Sequence, residues 1–161
     1  MKEFTRKDLI SIPEGTEIIG VDTFRGFTTL ESISIPKGVE EIRDNAFYDC
    51  ISLKKVCLPN TLKIIGRSAF SNCNFEEITI PEGCECIEPY AFAGCKNLKR
   101  VVIPSTCTFI GTDAFAYCPN IEYVILFNPR LTLFTLKWEG IDVGLPNGCK
   151  VLRWRNEVIH K

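Results

Sequence analysis

The stretch Ile35-Pro36-Lys37-Gly38-Val39-Glu40-Glu41-Ile42, followed by Ala46-Phe47 and Cys50, is one copy of a unit that recurs along most of the chain. The proline that closes each Ile-Pro or Leu-Pro pair recurs in steps of 23, 23, 22 and 23 residues, at Pro13, Pro36, Pro59, Pro81 and Pro104. The same steps separate Phe24, Phe47, Phe70, Phe92 and Phe115. One step is shorter because Cys73-Asn74-Phe75 replaces the longer form Cys50-Ile51-Ser52-Leu53. A fixed period of this length indicates a solenoid, in which each coil contacts only its neighbours.

Each unit opens with an apolar segment that predicts a β-strand, as in Leu30 to Ile35 and Leu53 to Leu58. Apolar residues alternate there with period two, which is typical of a half-buried strand. Equivalent strands one coil apart run in the same direction, so we expect one parallel sheet. A second apolar pair, such as Val39 with Ile42, predicts a short second strand. The residues before each Ala-Phe pair predict one or two helical turns, because Asp, Ser and Thr favour helix N-caps.

The nine cysteines follow the repeat as well. Four of them share one register and two share another, namely Cys50, Cys73, Cys95 and Cys118, and then Cys84 and Cys107. They replace small apolar residues, and a free cysteine behaves as a small buried hydrophobe, so we expect reduced, buried thiols. Cys84-Glu85-Cys86 supplies only half of the paired spacing of a thiolate zinc site. We therefore predict no metal site and no cofactor.

The unit Ile-Pro-x-Gly-Val-x-x-Ile-x-x-x-Ala-Phe-x-x-Cys-x-x-Leu-x-x-Val closely resembles the BspA-type, or Treponema pallidum-type, leucine-rich repeats. The resemblance covers roughly Leu9 to Leu126. It implies an α/β repeat fold, a right-handed leucine-rich-repeat solenoid with a parallel concave sheet, short second strands and helical turns, in about five to six coils. We predict a polar N-terminal lead-in at 1–8, the solenoid at 9–126 and a non-repeat C-terminal cap of the same domain at 127–161, with strand content around 131–136 and 149–154.

Composition and charge exclude several classes of function. A net charge of −1 argues against nucleic acid and acidic membranes as partners, and no apolar run approaches the ~20 residues of a membrane-spanning helix. The only histidine, His160, lies next to the terminus, which is a poor place to hold a catalytic base. We therefore predict that the chain is not an enzyme, and the resemblance brings no catalytic residues. The charged N-terminus predicts a cytoplasmic protein, or a cell-surface or secreted one if a signal peptide was removed.

The outward-facing strand positions form the candidate binding surface. Charge alternates from coil to coil at two of these positions, which read Glu31, Lys54, Glu76, Lys99, Glu122 and Ser32, Lys55, Glu77, Arg100, Tyr123. Such charges either form register-fixing ion pairs or a polar recognition surface. The third position becomes apolar at Val102 and Ile125. Together with Tyr123 they are the best candidates for a binding hot spot, unless the cap buries them.

A second stripe of equivalent positions reads Ile18, Glu41, Ile64, Cys86 and Phe109. It is either core, which we expect, or an exposed apolar strip for self-association. The resemblance implies roles in adhesion and protein recognition. We therefore predict a non-enzymatic module, monomeric or weakly self-associating, that binds an unknown protein through the concave sheet. The alternative is a structural or self-associating piece of a larger adhesin-like surface assembly.

Overall fold

A computed structural model describes residues 11–130 and 142–153, and within them the chain forms a parallel solenoid of about five turns. Each turn contributes one strand to a front sheet and one to a back sheet. The front strands are β2 (Ser32–Ser34), β4 (Lys55–Cys57), β6 (Glu77–Thr79), β8 (Arg100–Ile103), β10 (Tyr123–Leu126) and β11 (Lys150–Arg153). The back strands are β1 (Ile18–Ile19), β3 (Glu41–Ile42), β5 (Ile64–Ile65), β7 (Cys86–Ile87) and β9 (Phe109–Ile110). The predicted short second strands are thus confirmed.

The back sheet is continuous, whereas the front sheet is interrupted. The back strands pair in the order β1-β3-β5-β7-β9 with equivalent residues in register, such as Ile42 opposite Ile65. The front strands form two separate ladders, β2-β4 and β6-β8-β10-β11, all parallel. The interruption falls in the one step that is a residue short.

The predicted helical turns are wrong, and so is the α/β class, because the described residues contain strands and turns but no helix. The segments 21–26, 44–49, 67–72, 89–94 and 112–117 are tandem turns, here called the Phe turns. In the second of them Asn45 and Asp49 have φ of 55° and 59°, a left-handed conformation that Asn and Asp tolerate best. Alternate N–H groups then point along the solenoid, so that Phe47 N–H donates to Ala69 O at 2.7 Å. A helix would keep these donors within its own segment.

One continuous core fills the space between the two sheets and the Phe turns. The repeated phenylalanines stack from coil to coil, with ring centroids 4.9 Å apart for Phe24 and Phe47, and 5.0 Å for Phe47 and Phe70. The stack continues through Phe92 and Phe115 at 5.5 and 5.6 Å. Close parallel stacking of buried aromatic rings is the main packing feature of the solenoid.

The cysteines in register with the Phe turns are free, buried thiols. Each lies against the carbonyl of the phenylalanine one coil before, and Cys73 Sγ donates to Phe47 O at 3.3 Å while Cys95 Sγ donates to Phe70 O at 3.3 Å. Cys50 and Cys118 make the same contact. A thiol therefore gives this register a small apolar body and a weak donor for a buried carbonyl, which alanine or valine could not supply.

Residues 142–153 continue the stack at the C-terminal end. Strand β11 pairs with β10, as the expected strand content near 149–154 predicted, while the strand expected near 131–136 lies outside the described residues. Val143 is buried and its carbonyl accepts a bond from Phe115 N–H at 2.9 Å. Gly144 has φ of 75°, and a Cβ there would lie 2.6 Å from Ala116 Cα. This close approach closes the last Phe turn.

Candidate protein-binding surface

The front sheet carries a groove of about 810 Å³ on its outer side. Most of the residues predicted for the binding surface line it, namely Lys54, Lys55, Glu76, Glu77, Lys99, Arg100, Glu122 and Tyr123. Glu31, Val102 and Ile125 share the face but lie outside the groove. The lining also includes Val56, Cys57, Asn74, Ile78, Thr79 and Asn97, which were not predicted.

The floor of this groove is a slit between β4 and β6, where the front sheet is interrupted. At the other coil junctions, the carbonyl of the residue before the front strand accepts a backbone hydrogen bond from the next coil. Glu76 O accepts from Lys99 N–H at 2.8 Å, and Glu31 O accepts from Lys54 N–H at 2.9 Å. Within the described chain Lys54 O has no such backbone donor. Ile35 N–H likewise donates to Cys57 O, but the equivalent Leu58 N–H has no backbone acceptor among these residues.

The missing residue explains the interruption. In the coil of Leu53, the chain turns back through a bond from Leu53 N–H to Cys50 O at 2.9 Å, and Leu98 N–H bonds Cys95 O in the same way. Phe75 stands one residue closer to Cys73 and has no such bond. Instead Asn74 N–H donates to Leu53 O, across the coils, at 2.9 Å. The shortened turn thus redirects the chain as it enters β6.

The slit opens the core side of the sheet to the groove. Ile78 lines the groove although it is directed to the core, and so does its neighbour across the slit, Val56. The equivalent Val101 and Val124, in the intact ladder, do not line it. Val56 is also only half-buried, whereas its equivalents in β2, β6, β8 and β10 are buried. The interruption therefore gives the groove an apolar floor at this point.

The alternating charges form ion pairs on one side of the slit. Lys99 Nζ lies 3.7 Å from Glu76 Oε2, and Arg100 pairs with Glu77. These pairs are solvent-exposed, so each contributes at most about 1 kcal/mol. Across the slit the predicted pairs of Lys54 with Glu76 and of Lys55 with Glu77 do not form. Within the described ranges both lysines lack an ion-pair partner. The predicted ion pairs between neighbouring coils therefore form only where the front strands pair.

The apolar third position lies on the front face beyond the groove. Val102 and Ile125 are half-buried, and Leu152 of β11 extends the row with 46% of its surface exposed. Val102 and Ile125 are therefore not fully buried, as complete burial under the cap would require. Tyr123 lies beside the row, with Lys150 Nζ 5.6 Å from its ring centroid. An aromatic residue next to a row of aliphatic ones is typical of interface anchors.

The second stripe is not core, contrary to our expectation. Ile18 and Phe109, at its two ends, are 40% and 43% exposed, and the residues between them are half-buried. These residues point outward from the back sheet, because in each two-residue strand the next residue, such as Ile65, points into the core. The stripe is thus an apolar strip on the outer side of the back sheet.

The thiols have no arrangement that suggests metal chemistry. Cys84 and Cys107 are buried one coil apart, and burial raises the pKa of each thiol to about 12 because it disfavours the thiolate. Cys84 Sγ is engaged with Cys86 O at 3.7 Å. Among the residues that the structure describes, no group of three or more His, Cys, Asp or Glu side chains is placed to hold a metal ion. The same residues contain no helix of a length and apolarity that would cross a bilayer.

The repeat is shared with other proteins. A family model described as BspA type Leucine rich repeat region matches residues 6–134 in six copies. A leucine-rich repeat protein from Bacteroides ovatus is 32% identical over 88% of this chain and 38% of its own, with a TM-score of 0.67. A leucine rich cell surface protein from Faecalibacterium prausnitzii is 30% identical over 83% of this chain and 34% of its own, with a TM-score of 0.71. The leucine-rich repeat protein of T. pallidum is 30% identical over 73% of this chain and 56% of its own, with a TM-score of 0.69.

The chain therefore spans between 34% and 56% of the length of these three solved relatives. No curated protein is significantly similar to it.

Proposed function

This chain belongs to the family of BspA-type leucine-rich repeats, and we propose that it is a non-enzymatic module that binds another protein through its front face. The observation that carries the proposal is the groove of about 810 Å³ on that face, bordered by the half-buried Val102 and Ile125 and the exposed Leu152. The repeated Ile, Phe and Cys residues pack in the core. The residues left free to vary are those of the face.

A rigid sheet favours this use. Backbone hydrogen bonds from coil to coil hold β8, β10 and β11 in register, so little conformational entropy is lost when a partner docks there. Tyr123 and Ile125 would act as anchors, and the ion pairs around Glu76 and Glu77 would form a polar rim. We take this sheet to be the concave side of the solenoid.

The test is a pair of matched substitutions on opposite faces. Tyr123→Ala with Ile125→Ser alters the front face, and Phe109→Ser alters the back strip. Partners captured from the native cell with the unaltered protein are identified, purified and titrated against each variant by calorimetry. We expect the front-face variant to lose at least tenfold in affinity, since anchor residues contribute about 1–2 kcal/mol or more each. A loss confined to Phe109→Ser would overturn the proposal.

A second candidate is self-association through the back strip, favoured by the exposure of Ile18 and Phe109 at its two ends. It corresponds to a structural piece of a larger surface assembly. Light scattering on a concentration series distinguishes it, because Phe109→Ser should then shift the mass toward that of the monomer. A protein that remains monomeric at every concentration excludes this candidate.

We also propose a location at the cell surface or outside the cell. The similar protein of Faecalibacterium prausnitzii is described as a cell surface protein. Antibody labelling of intact cells of the source organism tests the location, and labelling that requires permeabilised cells would contradict it.

A further inference from the structure

We propose that the slit between β4 and β6 binds a short, extended, acidic segment of a partner protein. This rests on the proposed function and specifies the ligand of one part of the front face. The three features that support it are an open strand edge, two lysines without ion-pair partners and an apolar floor.

The open edge belongs to β4. Lys54 O and Leu58 N–H are an unused acceptor and donor at its two ends, with no backbone partner in the described chain. Leu58 is four positions after Lys54, which corresponds to about 13 Å of extended chain. Such an edge pairs readily with an added strand, as in other cases in which an extended peptide joins a sheet. The main chain of a bound segment would supply the missing donor and acceptor.

The slit also limits the length of the segment. Asn74 N–H bonds Leu53 O at 2.9 Å on one side of it. On the other side the coils close again, because a Cβ on Gly83 would lie 2.5 Å from Asn60 O. The open edge thus extends over residues 54–59, or about 20 Å of extended chain. A segment of about six residues fits that length.

The charges at the slit favour an acidic ligand. Lys54 and Lys55 line the groove beside the open edge, and both are exposed and unpaired within the described residues. The carboxylates of Glu76 and Glu77 across the slit are already neutralised by Lys99 and Arg100. Two cations are therefore available there, and carboxylates on an incoming segment would complement them. Glu122, which has no ion-pair partner among the described residues, lies at the far end of the groove, beyond both ion pairs.

The floor of the slit favours apolar residues between the acidic ones. Val56 is half-buried and lines the groove, and Ile78 lies opposite it. Side chains of an extended segment alternate between its two faces. A segment that alternates glutamate with an aliphatic residue would place one set on Val56 and the other beside the lysines.

The first experiment uses a fluorescein-labelled heptapeptide of alternating glutamate and valine, titrated against the whole chain by fluorescence anisotropy. We expect saturable binding that weakens with added salt, and no binding of the same peptide with lysine in place of glutamate. Lys54→Ala with Lys55→Ala should weaken binding about tenfold, because two exposed ion pairs together contribute roughly that factor. The matched control, Lys37→Ala with Lys96→Ala, removes the same charge from exposed sites outside the groove and should leave binding unchanged.

A second variant tests the slit itself. Insertion of one lysine between Cys73 and Asn74 restores the longer turn, as in Cys95-Lys96-Asn97-Leu98, and should let β4 pair with β6. This variant keeps Lys54 and Lys55 but should no longer bind the peptide. The exposed thiol of Cys57 lies in the groove, so bound peptide should also slow its modification in the unaltered protein.

Several outcomes would overturn the inference. They are no saturable binding at millimolar peptide, equal losses in the two lysine pairs, a folded insertion variant that still binds, or displacement by the same concentration of inorganic phosphate. If the captured partner depends on Tyr123 and Ile125 while the acidic peptide fails to bind, the proposed function stands and this inference alone fails.

Discussion

Replacement of Phe70 by alanine should destabilise the solenoid far more than the same replacement of Phe24, although both occupy one register of the repeat. Phe70 is fully buried and contacts three other rings. It stacks on Phe47 at 5.0 Å and on Phe92 at 5.5 Å, and it meets Phe75 edge-on at 5.8 Å. Phe24 is half-buried, and among the described residues it stacks only on Phe47, at 4.9 Å. The pair therefore separates position in the stack from residue type.

The magnitudes follow from burial. A buried Phe→Ala change costs about 3–5 kcal/mol, and the three ring contacts place Phe70→Ala in the upper half of that range, at about 4–5 kcal/mol. Phe24 loses roughly half as much apolar contact, so its replacement should cost about 2 kcal/mol. For a chain of this size 1 kcal/mol shifts the melting temperature by about 2–4 °C, which corresponds to about 8–20 °C and 4–8 °C for the two variants.

Equilibrium unfolding in urea, followed by circular dichroism with reductant present, measures both free energies of unfolding. The dependence on urea should stay close to that of the unaltered protein, since a changed slope would indicate partial unfolding of coils rather than a uniform loss. Ile51→Ala serves as a control, because Ile51 is 56% exposed and its truncation should change stability by no more than about 0.5 kcal/mol. Equal losses for Phe24→Ala and Phe70→Ala would refute the argument that the stack is stabilised by neighbours on both sides.

Four further results are expected. A thiol reagent should modify the exposed Cys57 first and the six buried thiols only on unfolding, and a total below nine in denaturant would reveal disulfides. Between pH 9 and 12 the fold should lose about 1.4 kcal/mol per pH unit for each of Cys84 and Cys107, since burial raises the pKa of both thiols from 9.0 to about 12 in the folded chain. Cys84→Ala should flatten the curve of urea midpoint against pH, and an unchanged curve would contradict the assignment. Exchanging the charges of Glu77 and Arg100 should recover about 0.2–1 kcal/mol of the stability that the two single charge reversals lose together. Exchanging the charges of Lys55 and Glu77, which face each other across the slit, should recover nothing, so that the losses of its single reversals simply add. Removal of residues 127–161 should cause aggregation, as β11 and Val143 would no longer cover the last coil, and a well-behaved monomer would show otherwise.

The spacing of a few residues predicted much of the architecture. Phe47 and Phe70 recur in step, so they had to stack, and the short second strands followed from pairs such as Ile64-Ile65. The Phe turns were predicted wrongly. Asp, Asn and Ser before Ala-Phe also suit left-handed turn positions, and single-residue preferences do not distinguish these from helix caps. The left-handed turns form instead of helices because Ala69 O and its equivalents accept backbone hydrogen bonds from the coil before.

The candidate surface was predicted in part. Eight of the eleven predicted residues line the groove, because alternation along a strand identifies the outward positions. Val56 and Cys57 were missed, although the step of 22 residues was visible and marks the coil in which they lie next to the interruption. Charge alternation likewise predicted the pair of Arg100 with Glu77 but also a pair across the slit that does not form. Register alone does not show whether neighbouring strands meet.

The sequence by itself determined the repeat, the stacked core, the free thiols and the outward positions of the front strands. These depend on which residue types recur at which spacing, and that information is local and repeated in every coil. Only the tertiary structure decided that Cys73-Asn74-Phe75 interrupts the front sheet while the back sheet and the phenylalanine stack continue past it. When a turn lacks one residue, either the turn itself changes conformation or the strand that follows it loses its pairing. The outcome depends on where the backbone hydrogen bonds of two adjacent coils find partners, and no single coil specifies that.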